Sequence, residues 1–318
     1  MRPRLFPGTH LLPSDQGVVI RGPRHTAAFP MPGIYPWLER IRPFLDGRTR
    51  LDELVADLPP QAAQHVRTLV ELLAREGFVR DAEGDLAHGL SPDLCARHSA
   101  LVDFIALRAD SPEHRFERYR NCSPVVIGSG LLASALVLAL VTSGVEHVRF
   151  CIAEADDQDE YRTDSARLDE CVELLQKDGL SFRYEAMHGE PEELPTGTGT
   201  VLLACDEFEP ELAVRVHAFA TRAGLGYGQL TASDQHAFIN TTGDVAGEAT
   251  SYRRDAAGRA GGSYLGGPTA ALAANQLCLQ LLCRTAGLDE QPTGDGAAAP
   301  GLAVLDLVTA RFLAARPA

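Results

Sequence analysis

The sequence has no apolar run long enough to cross a bilayer. Its longest, Leu131 to Val141, is short of the roughly 20 residues that a spanning helix requires. Nothing apolar stands behind the arginines of the amino end, MRPRLFPGTH, so no secretion signal is read there. A cytoplasmic chain with no membrane partner is the expectation. CxxC pairs are missing too. The cysteines (Cys95, Cys122, Cys151, Cys171, Cys205, Cys278 and Cys283) are scattered and mostly embedded in apolar segments. That suits reduced core thiols, and no metal site is expected. Lysine is almost absent: Lys177 is the only one, so nearly every cation is an arginine. A compositional bias would explain this, so no function is read from it, and only the position of Lys177 carries information.

What is present points to two domains. A chain of 318 residues, 45% of them apolar, exceeds what a single core usually organises. The net charge of −14 is unevenly spread: residues 1–80 carry 11 arginines against 8 acids, and the remainder 18 basic against 35 acidic residues. Only the amino-terminal part would attract an acidic partner.

That part reads as short strands at 17–22 and 25–30 joined by a Gly-Pro turn, then helical patterns at Gly33–Leu45, Arg50–Leu58 and Pro60–Glu76. The last is the clearest, with Pro60 near its first turn, Val66, Leu69, Val70, Leu72 and Leu73 as its apolar positions, and Gly77 past its end. GFVRD then leads into another short strand. Strands with three helices in this span predict a winged helix-turn-helix. The run FLDGRTRLDELVADL, with the downstream helix ending in GFV, resembles the RiPP recognition element, the PqqD-like winged helix that captures leader peptides of ribosomal natural products. The resemblance implies a peptide site between the strand His25, Thr26, Ala27, Ala28 and Phe29 and the third helix, with His65, Arg67, Thr68, Glu71, Leu72 and Arg75 facing the leader. An extended peptide adding to an open strand edge is its physical basis, and Arg67 and Arg75 would pair with leader acids. A winged helix also suits DNA. Here Arg67 and Arg75 are offset by Glu71 and Glu76, whereas a groove-reading helix needs a net basic face, so no nucleic-acid partner is expected.

Residues 81–121 look like a polar connector with a helix at Pro92–Ala106. From Ser123 the pattern changes. Strands Val125–Ile127, His147–Ile152, Phe182–Ala186 and Thr200–Cys205 alternate with helices Leu131–Ser143, Ser165–Gln176 and Glu211–Ala223, as in a parallel α/β sheet. LGYGQLTAS and HAFINTTG follow as strands, then a helix at Thr269–Thr285 and a terminal strand-to-helix segment, LAVLDLVTARFLAA. The predicted fold class is α/β: a winged helix at 1–85, a helical connector at 86–121, and a Rossmann-type domain with a mainly parallel sheet at 122–318.

GSGLLA, Gly128 to Ala133, follows an apolar strand and opens a helix. Such a turn either cradles a pyrophosphate at the helix N-terminus or simply needs glycine for a tight connection. Glu154 ends the next strand, where an acid usually meets a ribose. TVLLACDEF puts Asp206 just after a buried strand, and YLGGPTAALAANQLCLQLL is a glycine-proline turn feeding an apolar helix. Together these resemble the ThiF/MoeB (ubiquitin-activating-like) adenylating fold. The resemblance implies that Asp206 contacts the adenylated carboxylate region. Active members also carry an Asp-x-Asp element, an Asn-Leu-x-Arg-Gln run and a lysine that hold magnesium and the ATP phosphates. Here the stretch reads CIAEADDQDEYRTDSARLDE. Glu154 and Asp156 would mimic the first element, Arg162 or Arg167 would stand near the phosphates, and nothing matches the Asn-Leu-x-Arg-Gln run. Lys177, in LLQKDGL, suits the C-terminal dipole of its helix instead. Gly128, Gly130, Glu154 and Asp206 are therefore expected to form a vestigial nucleotide site without a cofactor.

The two halves together resemble the ocin-ThiF-like partner proteins of TOMM and thiopeptide pathways. That resemblance implies a non-catalytic protein that binds a precursor's leader peptide and stimulates a YcaO-type cyclodehydratase forming azoline rings in antibiotic biosynthesis. ThiF-like domains often dimerise, so the same resemblance leaves a homodimer open, and the sequence does not give the oligomeric state. Two rivals stay open: an ATP-dependent adenylating enzyme using Asp206 with Arg162 or Arg167, and an NAD-dependent oxidoreductase on the glycine turn. His188, His217 and His236 share no spacing, and SDQH has no Gly-x-Ser-x-Gly elbow beside it, so neither suggests a catalyst.

Overall fold

The computed structural model describes residues 1–152, 165–188, 197–206, 210–233, 235–240, 264–288 and 302–313. The chain divides into two compact units, Met1–Glu117 and Arg118–Ala318.

The first unit runs β1 (Pro3–Leu5), β2 (His10–Ser14), β3 (Gly17–Arg21), β4 (Thr26–Phe29), α1 (Ile34–Ile41), α2 (Leu51–Leu54), α3 (Pro60–Arg75), β5 (Val79–Asp81), α4 (Pro92–Arg97) and α5 (Ser99–Ala106), and α6 (Pro112–Arg120) carries the chain across the boundary. Strands β2, β3 and β4 form an antiparallel meander, and β1 pairs with β5. Alternation along β3 sends Val18 and Ile20 into a core that they share with Ile34, Leu38 and Ile41 of α1 and Val66, Leu69, Val70 and Leu73 of α3. Strands β1 and β2 are absent from the sequence reading. One is three residues long and the other contains Pro13, so each depends on its partner strand rather than on its own pattern. The helix expected over Gly33–Leu45 stops at Ile41, where Pro43 enters a 3-10 turn at Arg42–Phe44.

Of the expected connector, 86–121, residues 86–117 fall within this unit. Asp85 accepts from both terminal nitrogens of Arg80 at 2.7 and 2.6 Å and from the Ser111 N–H at 3.0 Å. Arg4 of β1 donates to Glu113 of α6 at 2.9 Å. All four charged side chains are largely covered. Burial pushes the carboxyls of Asp85 and Glu113 up, but the arginine hydrogen bonds outweigh it and hold both below the ordinary carboxylate range.

The second unit is an eight-stranded sheet in the order β13-β12-β11-β10-β9-β6-β7-β8. Its elements are β6 (Pro124–Ser129), α7 (Gly130–Thr142), β7 (His147–Ile152), α8 (Ser165–Lys177), β8 (Arg183–His188), β9 (Thr200–Cys205), α9 (Pro210–Arg222), β10 (Gly226–Ser233), β11 (His236–Asn240), α10 (Gly267–Thr285), β12 (Leu302–Asp306) and β13 (Arg311–Leu313). Pairing is parallel from β10 to β8 and antiparallel from β10 to β13. Strands β6 and β9 are buried almost throughout, as expected where both faces of a parallel sheet are covered. On one face Val125, Ile127, Val201 and Leu203 pack against Leu212 and Val216 of α9. On the other, Leu202 meets Leu277 of α10 across Gly228, and α7 packs against α10.

The terminal helix is a correction. After β12 the Asp306 carboxylate accepts the Val308 and Thr309 N–H groups at 2.8 and 3.0 Å, Ala310 takes a φ of +53°, and the chain turns back as β13. No helix among the described residues is long and apolar enough to cross a membrane.

Glu113→Ala should destabilise the full chain by about 1–3 kcal/mol in urea unfolding, because it removes the hydrogen-bonded partner of a covered guanidinium and leaves Arg4 the longer Asp85 contact at 3.9 Å. Because Asp85 and Glu113 have lowered pKa values in the folded state, their stabilisation is complete above the ordinary carboxylate pKa and is lost as pH falls through the lowered values. The variant's urea midpoint should therefore depend less on acid pH than the wild type's. An identical pH dependence would show that Glu113 does not matter in this way.

Candidate functional site

From β6 the sheet extends through β7 to β8 on one side, and the chain then returns to the other side of β6 as β9 and β10. The strand order thus reverses between β6 and β9, and an open α/β sheet leaves its crevice at the carboxyl ends of those two strands. Ser129, the last residue of β6, stands opposite Cys205, the last of β9. Gly130 and Asp206 lie immediately beyond.

The turn needs both glycines. Gly128 has a φ of +146°, and a Cβ there would collide with the Ala204 carbonyl of the neighbouring strand. Gly130 has a φ of +84°, and a Cβ there would collide with the Asp206 carboxylate. That carboxylate caps α7. Its Oδ2 accepts the Leu131 N–H and its Oδ1 the Leu132 N–H, each at 2.8 Å. One side chain so satisfies two of the free donors of the first helical turn and sets a negative charge against the positive end of the dipole. These amides are of the kind a dinucleotide's pyrophosphate would use.

Of the expected nucleotide residues, Gly128, Gly130 and Asp206 are brought together. Glu154, Asp156 and Arg162 lie outside the described residues; Arg167 falls on α8, its side chain outside the description. Lys177 ends α8, exposed, with its Nζ 3.3 Å from Glu173, a partner one turn back in its own helix. No cluster of three metal-ligating side chains occurs among the described residues.

A polar row that sequence reading missed runs toward the crevice. Tyr227, Gln229 and Thr231 alternate along β10 and all are buried. The Tyr227 hydroxyl donates to Gln229 Oε1, and Gln229 Nε2 donates to Thr231 Oγ1, both at 3.3 Å. Burial, with a smaller contribution from the Cys205 thiol, pushes the Tyr227 phenol far above its usual pKa. Thr231 is in register with Cys205, so the row ends beside Asp206. His217 packs its ring 5.1 Å from that of Tyr227. The signal in the sequence was polar residues at a period of two within an apolar strand.

In the first unit, β4 pairs with β3 alone, so its other edge is open among the described residues. The Gly22 N–H donates to the His25 carbonyl at 2.9 Å and closes the hairpin. Alternation from that pair, in the register Arg21↔Thr26 to Val18↔Phe29, directs the N–H and C=O of Thr26 and Ala28 away from β3. Ala27 and Phe29 turn their side chains to the core. His25 lies against Phe78, with ring centroids 4.5 Å apart.

The expected α3 residues do not share one face. His65, Thr68, Leu72 and Arg75 fall on one stripe; His65 packs on Trp37 at 4.9 Å and Leu72 sits partly buried against the same core as Ala27. Thr68 bonds back to the Gln64 carbonyl at 3.0 Å, Arg75 contacts Glu76 at 3.4 Å, and Glu71 is exposed. Arg67 lies about 140° around the helix from Leu72, by the helical repeat. It is held at 3.0 Å by Asp52 of α2, a partner unseen in the sequence.

By sequence, the chain matches no protein-family profile and none of the curated proteins. Its fold, however, is matched by solved structures over nearly its full length. Escherichia coli MccB solved with ATP shares 11% identity at a TM-score of 0.59, covering 98% of this chain and 96% of MccB. The same protein with MccA gives 12% identity, a TM-score of 0.59 and the same coverage. PaaA gives 17% identity and a TM-score of 0.60, over 96% of this chain and 97% of its own. These likenesses establish a ThiF/MoeB-like, Rossmann-like fold. They also correct the expectation of a non-catalytic partner. That expectation rested on the missing Asn-Leu-x-Arg-Gln run and phosphate-binding lysine, yet MccB, whose fold this chain matches over nearly its full length, is a microcin C7 biosynthetic enzyme.

Asp206→Ala should remove the α7 cap and lower stability by about 0.5–2 kcal/mol. Gly128→Ala should cost more, because its collision is with main chain and backbone strain adds to it, and should leave little folded protein in a urea titration. A Gly128→Ala midpoint equal to wild type would mean that β6 and β9 are not this close.

Proposed function

We propose that this protein is an ATP-dependent adenylating enzyme acting on a ribosomally made precursor peptide. The observation that carries the reading is Asp206, anchored at the crevice between β6 and β9, on a fold shared with an enzyme solved with ATP and with MccA. In the reaction a peptide carboxylate oxygen attacks the α-phosphorus of ATP, the bond from that phosphorus to the bridging oxygen breaks, and pyrophosphate leaves. Arg162 or Arg167 would balance the phosphate charge, and Asp206 would lie beside the activated carboxylate. An NAD-dependent reading is less favoured, because its pyrophosphate would have to displace Asp206 from two amides.

In the same reading the first unit is a winged-helix recognition element. It would hold the precursor's leader by main-chain bonds to Thr26 and Ala28, with His65, Thr68, Leu72 and Arg75 contacting side chains. The ion pair of Arg67 with Asp52 of α2 supports leaving it out of that set. A YcaO partner is not needed for this activity.

ATP–pyrophosphate exchange in the presence of the precursor tests the chemistry. Asp206→Ala should lower the exchange rate by at least about tenfold, in line with loss of a group acting at the reacting centre. No exchange with any precursor, or full exchange in the variant, would reject it. For the leader, Ala28→Pro should abolish binding in a fluorescence-polarisation assay while Ala28→Ser leaves it unchanged, since proline removes an outward amide donor that serine keeps. Wild-type affinity in a folded Ala28→Pro protein would place the peptide elsewhere.

A further inference from the structure

We propose that Asp206 is a resident anion that closes the N-terminus of α7 to phosphate, so that the glycine turn excludes free phosphate and dinucleotides. The turn has the form of a dinucleotide site: an apolar strand, glycines with positive φ and a helix opening at once. In such sites a glycine clears space for the ligand's pyrophosphate. Here the space above Gly130 is filled by a side chain of the same chain, whose carbon and both oxygens are the nearest atoms to a Cβ placed at that position. The two amides that would receive phosphate oxygens are each bonded to Asp206 at 2.8 Å.

The exchange is unfavourable for an incoming phosphate. It would gain the two charge-assisted hydrogen bonds that the carboxylate loses, with no net increase in number, and would leave two negative groups beside one helix end. The glycine pattern therefore serves an internal ligand. This goes beyond the adenylation reading and adds one condition to it: the phosphates of ATP must lie off the end of α7. The charge effect and the glycine requirement hold whether or not the protein forms adenylates.

The test uses the full chain, leucine-labelled with ¹⁵N, and follows the Leu131 and Leu132 amides by NMR and hydrogen exchange. Inorganic phosphate and NAD are the probes. Asp206→Ala, shown folded by circular dichroism, should lose protection at both amides and bind phosphate with shifts at both, at least about tenfold more tightly than the wild type. Should Asp206→Ala not fold, Asp206→Asn keeps the shape and one acceptor and should show a smaller gain in the same direction. Wild-type protein that binds phosphate or NAD through these amides as tightly as the variant would overturn the proposal. So would a folded variant that gains no phosphate affinity, or one in which both amides keep wild-type protection. None of these readouts requires pyrophosphate exchange, so loss of the adenylation reading would leave them intact.

Discussion

The bonds from the Asp206 carboxylate to the first two leucine amides of α7 fix the geometry on which the second unit depends. They tie the end of β9 to the start of the helix that follows β6, two segments some 75 residues apart in sequence. Gly128 lets β6 and β9 approach closely enough for the tie to form, and Gly130 leaves room for the carboxylate. With α7 so placed, it lies against the sheet and α10 covers it. Any ligand in the crevice meets a surface already carrying one fixed negative charge.

The first unit is organised by a different force. Its apolar core is formed by short strands with α1 and α3, and residues 86–117, which bury Val102, Ile105 and Phe116, are tied to the amino-terminal strands through Arg4 with Glu113 and Asp85 with Ser111. Covered ion pairs add little net stability against an apolar equivalent, but losing one partner is costly. They act to fix which segments belong together.

Much of this was legible in the sequence where a long segment stated its own period. The α3 helix, the alternation from β6 through α9, and the strand–turn–helix at Gly128 follow from apolar spacing and glycine placement. Short segments were not legible, because PRL and HLLPS become strands only when β5 and β3 pair with them. RFL looked helical for want of the Asp306 turn that makes it a strand. At the site, the sequence located Asp206 and the glycines but not their contact, since nothing local joins positions 130 and 206. The Arg67 ion pair was not legible for a similar reason: its Asp52 partner lies on another helix. The step from a missing Asn-Leu-x-Arg-Gln run to absence of catalysis failed because a fold can be shared with an enzyme at very low sequence identity, without its motifs.

The free edge of β4 is short. Only Thr26 and Ala28 present main-chain groups outward, and Pro30 follows Phe29 with no amide hydrogen to offer. Each of the two residues supplies one donor and one acceptor, and every peptide backbone can answer them equally well. Pairing there is sequence-blind. Were an extended chain to pair there, as proposed, discrimination would rest with neighbouring side chains, and substitution on a helix would change the preference while the strand stayed as it is.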